Sequence, residues 1–189
     1  DALPIYATEI LNNMGDKYPN IVVAGGNSGD DYKFSSCYVF STTCKNCDIA
    51  FAFIDSDVLK VHSNYILNWQ TIGKDMLVTK VVGSTVYEIE HKKALDVFEY
   101  YLGDEISKNM LVHGIEFPLI YKEKDTNVAR AAVGIDEEVG SISFAGSIKE
   151  GTKVRFGYAN IELLEDMNQK QIKETYNTKN EALYVYTCA

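Results

Sequence analysis

Between Asn68 and Gly103 the hydrophobic period of the chain switches from that of a strand to that of a helix. This switch limits what the chain can fold into more than any other feature. Met76 to Val82 is rich in β-branched residues, and Gly83-Ser84 supplies a two-residue hairpin turn with glycine first. Thr85 to Glu90 then alternates, with Val86, Glu88 and Glu90 on one side and Thr85, Tyr87 and Ile89 on the other. After the polar break His91-Lys92-Lys93, residues Ala94, Leu95, Phe98, Tyr101 and Leu102 share one apolar helical face. Gly103 follows as a helix terminator, because a left-handed conformation costs glycine little. The stretch therefore predicts a hairpin followed by a helix, with Trp69, the only tryptophan, at its entrance.

The rest of the chain is expected to add antiparallel strands and a few helices. Helices are predicted over Pro4 to Met14, ended by Gly15-Asp16, and over Ile161 to Thr175, while Glu105 to Met110 reads as a second helical turn or a linker. Strands are predicted at Asn20 to Ala24, Cys37 to Ser41, Asp48 to Ile54, Val58 to Asn68, Phe117 to Lys122, Val128 to Ile135, Ser141 to Ala145, Val154 to Tyr158 and Ala182 to Cys188. Strand and helix do not alternate as in a doubly wound sheet. The fold class is α+β, with mixed, largely antiparallel sheets and a few packing helices.

Composition narrows the function. With 189 residues, 46% of them hydrophobic, the chain can bury a real core, as one large domain or two small ones. A net charge of −9 argues against nucleic acid and acidic membrane surfaces as partners. No run reaches the roughly 18 apolar residues of a membrane span, and no signal-peptide pattern opens the chain. Cys37, Cys44, Cys47 and Cys188 are too few for a disulfide scaffold and are expected as reduced thiols in a cytosolic protein. Cys44-Lys45-Asn46-Cys47 lacks the second pair or the spaced histidines that a zinc site needs, and it opens no helix as a redox-active CxxC does. No metal or cofactor is expected.

The glycine-rich loop Gly25 to Asp31 is the first candidate site. Its spacing fits neither GxGxxG nor GxxxxGK[ST], and two aspartates would repel phosphate. Gly26, Asn27 and Gly29 can instead present backbone amides, along a route that glycine opens to positive φ. Asp30 or Asp31 can accept from an ammonium group. A sharp structural turn is the alternative. Lys80 and Arg130 are cations inside apolar runs. Either they lie on the polar face of a half-buried sheet, or they meet a carboxylate. Trp69 is a core residue or the wall of a pocket. Cys188 reads as a small apolar residue, since nothing places a histidine beside it as a nucleophile would need. The candidate ligand contacts are thus Gly26, Asn27, Gly29, Asp30, Asp31, Trp69, Lys80, Arg130 and Cys188, with no catalytic residue among them.

Several stretches together resemble the FIST domain. They are AGGNSGDD from Ala24, YVF from Tyr38, Trp69 with Gly73, VTK from Val78, VYEIEHKKAL from Val86 and YYLG from Tyr100. In the second half they are EFPLIY from Glu116, Arg130, GSISFAGSIKEGTKV from Gly140 and LYVYTCA from Leu183. The resemblance implies an N-like half over residues 1–104 and the beginning of a C-like half over 105–189. It also implies a native chain that extends beyond both ends. His91-Lys92-Lys93 and His113 to Glu116 depart from the family pattern. What the resemblance implies for function is a cytoplasmic sensory input of a bacterial signalling protein. Its partners would be a small ligand such as an amino acid and an output domain of chemotaxis-receptor, histidine-kinase or diguanylate-cyclase type. The rival expectations are a protein-interaction module and an enzyme using Cys188.

Overall fold

The computed structural model describes residues 5–29, 38–45, 47, 49–63, 67, 69–109, 113–123, 126–176 and 181–186. The chain divides into two compact units, Asp1–Tyr65 with Tyr184–Ala189, and Ile66–Leu183.

The larger unit is built on an eight-stranded antiparallel sheet. Its elements in chain order are β1 (Trp69–Val82), β2 (Thr85–Ile89), β3 (Lys92–Lys93), α2 (Ala94–Leu102), α3 (Asp104–Lys108), β4 (Leu119–Glu123), β5 (Thr126–Arg130), β6 (Ala132–Asp136), β7 (Ser141–Phe144), β8 (Lys153–Ala159) and α4 (Ile161–Tyr176). The helix α1 (Ile5–Lys17) precedes them in the other unit. The strand order is β5-β4-β8-β1-β2-β7-β6, with β3 paired to β2. Only Ala131 separates β5 from β6, yet these strands stand at opposite ends of that order. One extended segment thus pairs with β4 through its first half and β7 through its second, so the sheet curls round to meet itself. The first strand also turns a corner. Its residues up to Leu77 pair with β8, and Val78 onward pair with β2. The register slips between Ile72 and Met76, beside Gly73 at φ 81°. Strands that switch sheets at bends and bulges are how two sheets close without exposed edges.

The predicted hairpin and helix both form. Gly83 has φ 62° and Ser84 does not have a positive φ, as a two-residue turn with glycine first requires. Val86 and Ile89 are both fully buried, so the alternation in β2 is broken. Compensating register shifts around Lys80 turn the strand between them. The α2 helix buries Ala94, Leu95, Val97 and Phe98, and Gly103 ends it at φ 87°, its N–H donating to the Glu99 carbonyl. Phe98 packs edge-on against Phe156 at 4.9 Å and tilted against Phe144 at 6.1 Å, in a core that includes Val78, Leu119, Ile142, Ile148 and Val154.

Other expectations change. The helix over Pro4 to Met14 does not end at Gly15-Asp16 but runs to Lys17. One helical glycine costs only about 1 kcal/mol, and the Tyr18 N–H still donates to the Met14 carbonyl at 2.8 Å. The segment Val128 to Ile135 is two strands, because Ala131 is the corner where pairing passes from β4 to β7. Residues 20–24, 49–54 and 58–63 of the smaller unit, and residues 182–186, are not strands. Apolar side chains there, such as Val22, Phe53, Val58 and Tyr184, are exposed rather than buried. A strand is a paired object, and β-propensity acts only against a partner. The bridge described there, Val39 to Cys47, is an isolated one. Cys44 and Cys47, expected as free thiols, are joined in a disulfide. Ser41 N–H donates to the Cys44 carbonyl at 2.8 Å, and the Cα atoms of the two cysteines lie 6.0 Å apart, within ordinary disulfide reach.

Candidate functional site

The glycine-rich loop is placed by the end of α1. Lys17 lies over the Tyr18 ring, and Ile21 N–H donates to the Tyr18 carbonyl at 3.1 Å, turning the chain into residues 21–29. From there the backbone forms no regular structure and is exposed. Gly25, Gly26 and Gly29 are not among the positive-φ glycines, so the glycines do not serve a left-handed route. Nothing lies within 4 Å of where a Cβ would stand at Gly25 or Gly29. At Gly26 the Cβ would stand 3.6 Å from Tyr186 Cδ1, an ordinary contact, so an aromatic ring flanks the loop. Among the described residues 25–29 no turn or bend is present, and these residues are exposed. Tyr186 was not singled out from the sequence; its place in the apolar run LYVY hid it. Asp30, Asp31 and Cys188 lie outside the described residues.

The other candidates belong to the larger unit. Trp69 opens β1 half-buried, paired with Ala159. Lys80 is near the far end of the same strand, eleven residue steps on, or about 35 Å of contour at roughly 3.3 Å per residue. It is exposed, with Nζ 5.8 Å from the Tyr87 ring. Exposure on the polar side of the sheet accounts for it. Arg130 ends β5 half-buried. Its row runs through Leu119 and Phe156 to Ile72, three strand steps or about 14 Å along the sheet. Measured along the sheet, the register keeps Trp69, Lys80 and Arg130 well apart.

Arg130 is the most organised of them. Its Nε donates to the Ser147 carbonyl at 3.3 Å and its Nη1 to the Ala129 carbonyl at 3.1 Å. The Tyr121 hydroxyl donates to the same Ser147 carbonyl at 3.3 Å, and the guanidinium carbon stands 5.8 Å from the Tyr121 ring. Gly146, at φ 130°, leaves room for this, because a Cβ there would lie 2.8 Å from Arg130 Nε. Two of the five guanidinium donors therefore clamp backbone at the corner between β5 and β6. The sequence marked Arg130 as an unusual cation. Tyr121 meets it across the β4–β5 hairpin, whereas Ser147 is brought to it by the pairing of β6 with β7.

Burial pushes the Tyr121 phenol above its ordinary value, while nearby Arg130 works against that shift. The folded chain then holds this proton to higher pH than the unfolded chain does. The associated stability is complete below about pH 10 and falls as pH rises past it. Urea midpoints between pH 8 and 11 should fall more steeply in the wild type than in Tyr121→Phe. Equal slopes would show that Tyr121 does not carry the loss.

On the sheet surface Asp75 accepts from Arg155, bridging β1 and β8 beside the register slip. That hydrogen bond, with the charge of Arg155, holds the Asp75 carboxyl below its usual value. Both side chains are about half exposed, so the pair adds little stability. Among the described residues no group of three or more His, Cys, Asp or Glu could hold a metal ion, and no helix is long and apolar enough to cross a membrane.

Two family models match, the FIST N domain over residues 1–92 and the FIST C domain over residues 94–189. The chain belongs to the FIST family. FIST domains are sensory modules of signalling proteins. No curated protein and no solved structure matches the chain. The junction of the two FIST segments falls at Lys93, the last residue of β3 and immediately before α2, inside the larger unit. Strands from the FIST N segment pair directly with strands from the FIST C segment, β1 with β8 and β2 with β7. The FIST N and FIST C segments therefore share one sheet and one core.

Proposed function

We propose that this FIST chain is the small-ligand input of a bacterial signal transduction protein, working in the cytoplasm and taking an amino acid or a related metabolite. The observation that carries the reading is the open backbone of Gly25 to Gly29, exposed, with glycines that no positive φ requires. Peptide N–H and C=O groups left accessible in this way suit a ligand rich in donors and acceptors. In this reading Gly26, Asn27 and Gly29 approach the ligand through main-chain atoms. Asp30 or Asp31 takes its ammonium group, and Cys188 adds a small apolar contact. Occupancy shifts the balance between two arrangements of the protein, and an output domain or protein reads that shift. FIST domains are generally non-catalytic, and the proposal assigns no reaction.

A second reading, a protein-interaction module, is favoured by the strongly exposed Phe40, Phe53 and Val58 of the smaller unit. Titration calorimetry of the folded full-length protein against amino acids and small metabolites separates the two. Saturable binding that Asp30→Asn or Asp31→Asn weakens at least tenfold supports the sensor. If the protein binds none of the panel yet holds a protein partner that no small molecule displaces, the ligand reading fails.

A further inference from the structure

We infer that Cys44 and Cys47 form a reversible thiol–disulfide pair, a redox-modification site served by a thiol or dithiol reductant, whose state sets the order of the Ser41–Cys47 loop. The inference does not depend on which ligand the protein binds.

Backbone hydrogen bonds frame this loop in the disulfide-bonded chain. Ser41 Oγ accepts from the N–H groups of Thr43 and Cys44, both at 3.2 Å, and Ser41 N–H donates to the Cys44 carbonyl. Cys47 N–H then donates to the Val39 carbonyl at 2.8 Å, closing the isolated bridge. These hydrogen bonds and the disulfide close the same stretch of chain. The disulfide ring spans only four residues, Cys44 to Cys47. Short rings remove little chain entropy, so the bond gains little protection from the fold around it. Both cysteines are half-exposed, and Ser41, Thr42, Thr43 and Lys45 around them are exposed, so a reductant can reach the sulfurs. Exposed disulfides are the labile ones.

The step balances with a dithiol reductant. One of its thiolates attacks a sulfur of the pair, breaking the S–S bond and forming a mixed disulfide. The displaced cysteine leaves as a thiolate and takes up a proton. The second thiol of the reductant, after losing its proton, attacks the mixed disulfide and closes the reductant's own disulfide. The second cysteine is released and protonated in turn. Two electrons and two protons pass to the protein, and the reductant is oxidised by the same amount. Without the covalent ring, the bridge at Val39 rests on the loop hydrogen bonds alone.

Differential alkylation tests this on the full chain, equilibrated in glutathione buffers from fully oxidised to fully reduced. Trypsin cleaves after Lys45, so Cys47 is read on the peptide 46–60. The expected result is a reversible conversion of the linked peptide to an alkylated one, with labelling of Cys47 rising from under ~10% to over ~90% without denaturant, as an accessible pair requires. Reduction should also speed hydrogen exchange at the Cys47 amide about tenfold or more, as the loss of a closed bridge predicts, and Cys47→Ser should already show the fast rate at that position. A pair that stays linked until the protein is denatured would be structural and would overturn the inference. Labelling of Cys47 that is complete in every buffer would overturn it as well. Exchange at Cys47 that is indifferent to reduction would refute control of the loop.

Discussion

Replacing Gly146 with alanine should destabilise the protein by about 2–4 kcal/mol, the cost of a disallowed backbone conformation plus a steric conflict in a packed corner. Gly146 has φ 130°, where an L-residue is strained whatever the space around it. The new Cβ would also stand 2.8 Å from Arg130 Nε and 3.1 Å from its Cδ. Arg130 could swing away, but only by giving up the Ser147 carbonyl that it shares with Tyr121. The two costs separate in a double-mutant cycle. In an Arg130→Ala background the steric part disappears, so Gly146→Ala should cost about 1 kcal/mol less there than in the wild type. Urea unfolding checks both values. Equal costs in the two backgrounds would mean that Arg130 does not depend on the room Gly146 leaves.

Truncating Phe98 to alanine should cost about 3–5 kcal/mol, the range for a large aromatic removed from a closed core. Phe98 is 1% exposed, and it is the side chain by which α2 reaches both Phe144 on β7 and Phe156 on β8. These two strands lie on opposite sides of the β1–β2 pair in the strand order, so one ring ties the two halves of the curled sheet together. The edge-on contact with Phe156 adds to the area term. Phe98→Leu keeps most of the volume and should cost about half as much or less. The urea midpoint should fall with an unchanged m-value. A loss below about 1 kcal/mol for the alanine variant would show that α2 is not docked through this ring.

Local features of this fold were legible in the chain, and closure was not. The turn at Gly83-Ser84, the α2 helix and its stop at Gly103 depend on neighbours within a few residues, and each forms where the spacing puts it. The corner at Ala131 depends on β4 and β7 taking opposite halves of one extended segment, which no local period records. The same reasoning explains residues 20–24 and 49–54. Their β-branched and aromatic side chains suit a strand, but a strand also needs a partner. At the candidate site, the glycine-rich loop was visible because glycine density is a local signal, while its positive-φ rationale was not borne out. The Tyr186 ring beside Gly26 joins residues 160 positions apart and leaves no mark in either stretch.

The proposed ligand surface is the backbone of Gly25 to Gly29. Amide-resolved NMR of the isotope-labelled full-length protein, titrated with each amino acid that binds in calorimetry, examines that surface residue by residue. Saturable shifts are expected at the amides of Gly25, Gly26, Asn27, Ser28 and Gly29, with the affinity that calorimetry gives. Saturation that moves amides elsewhere and leaves these still would contradict it.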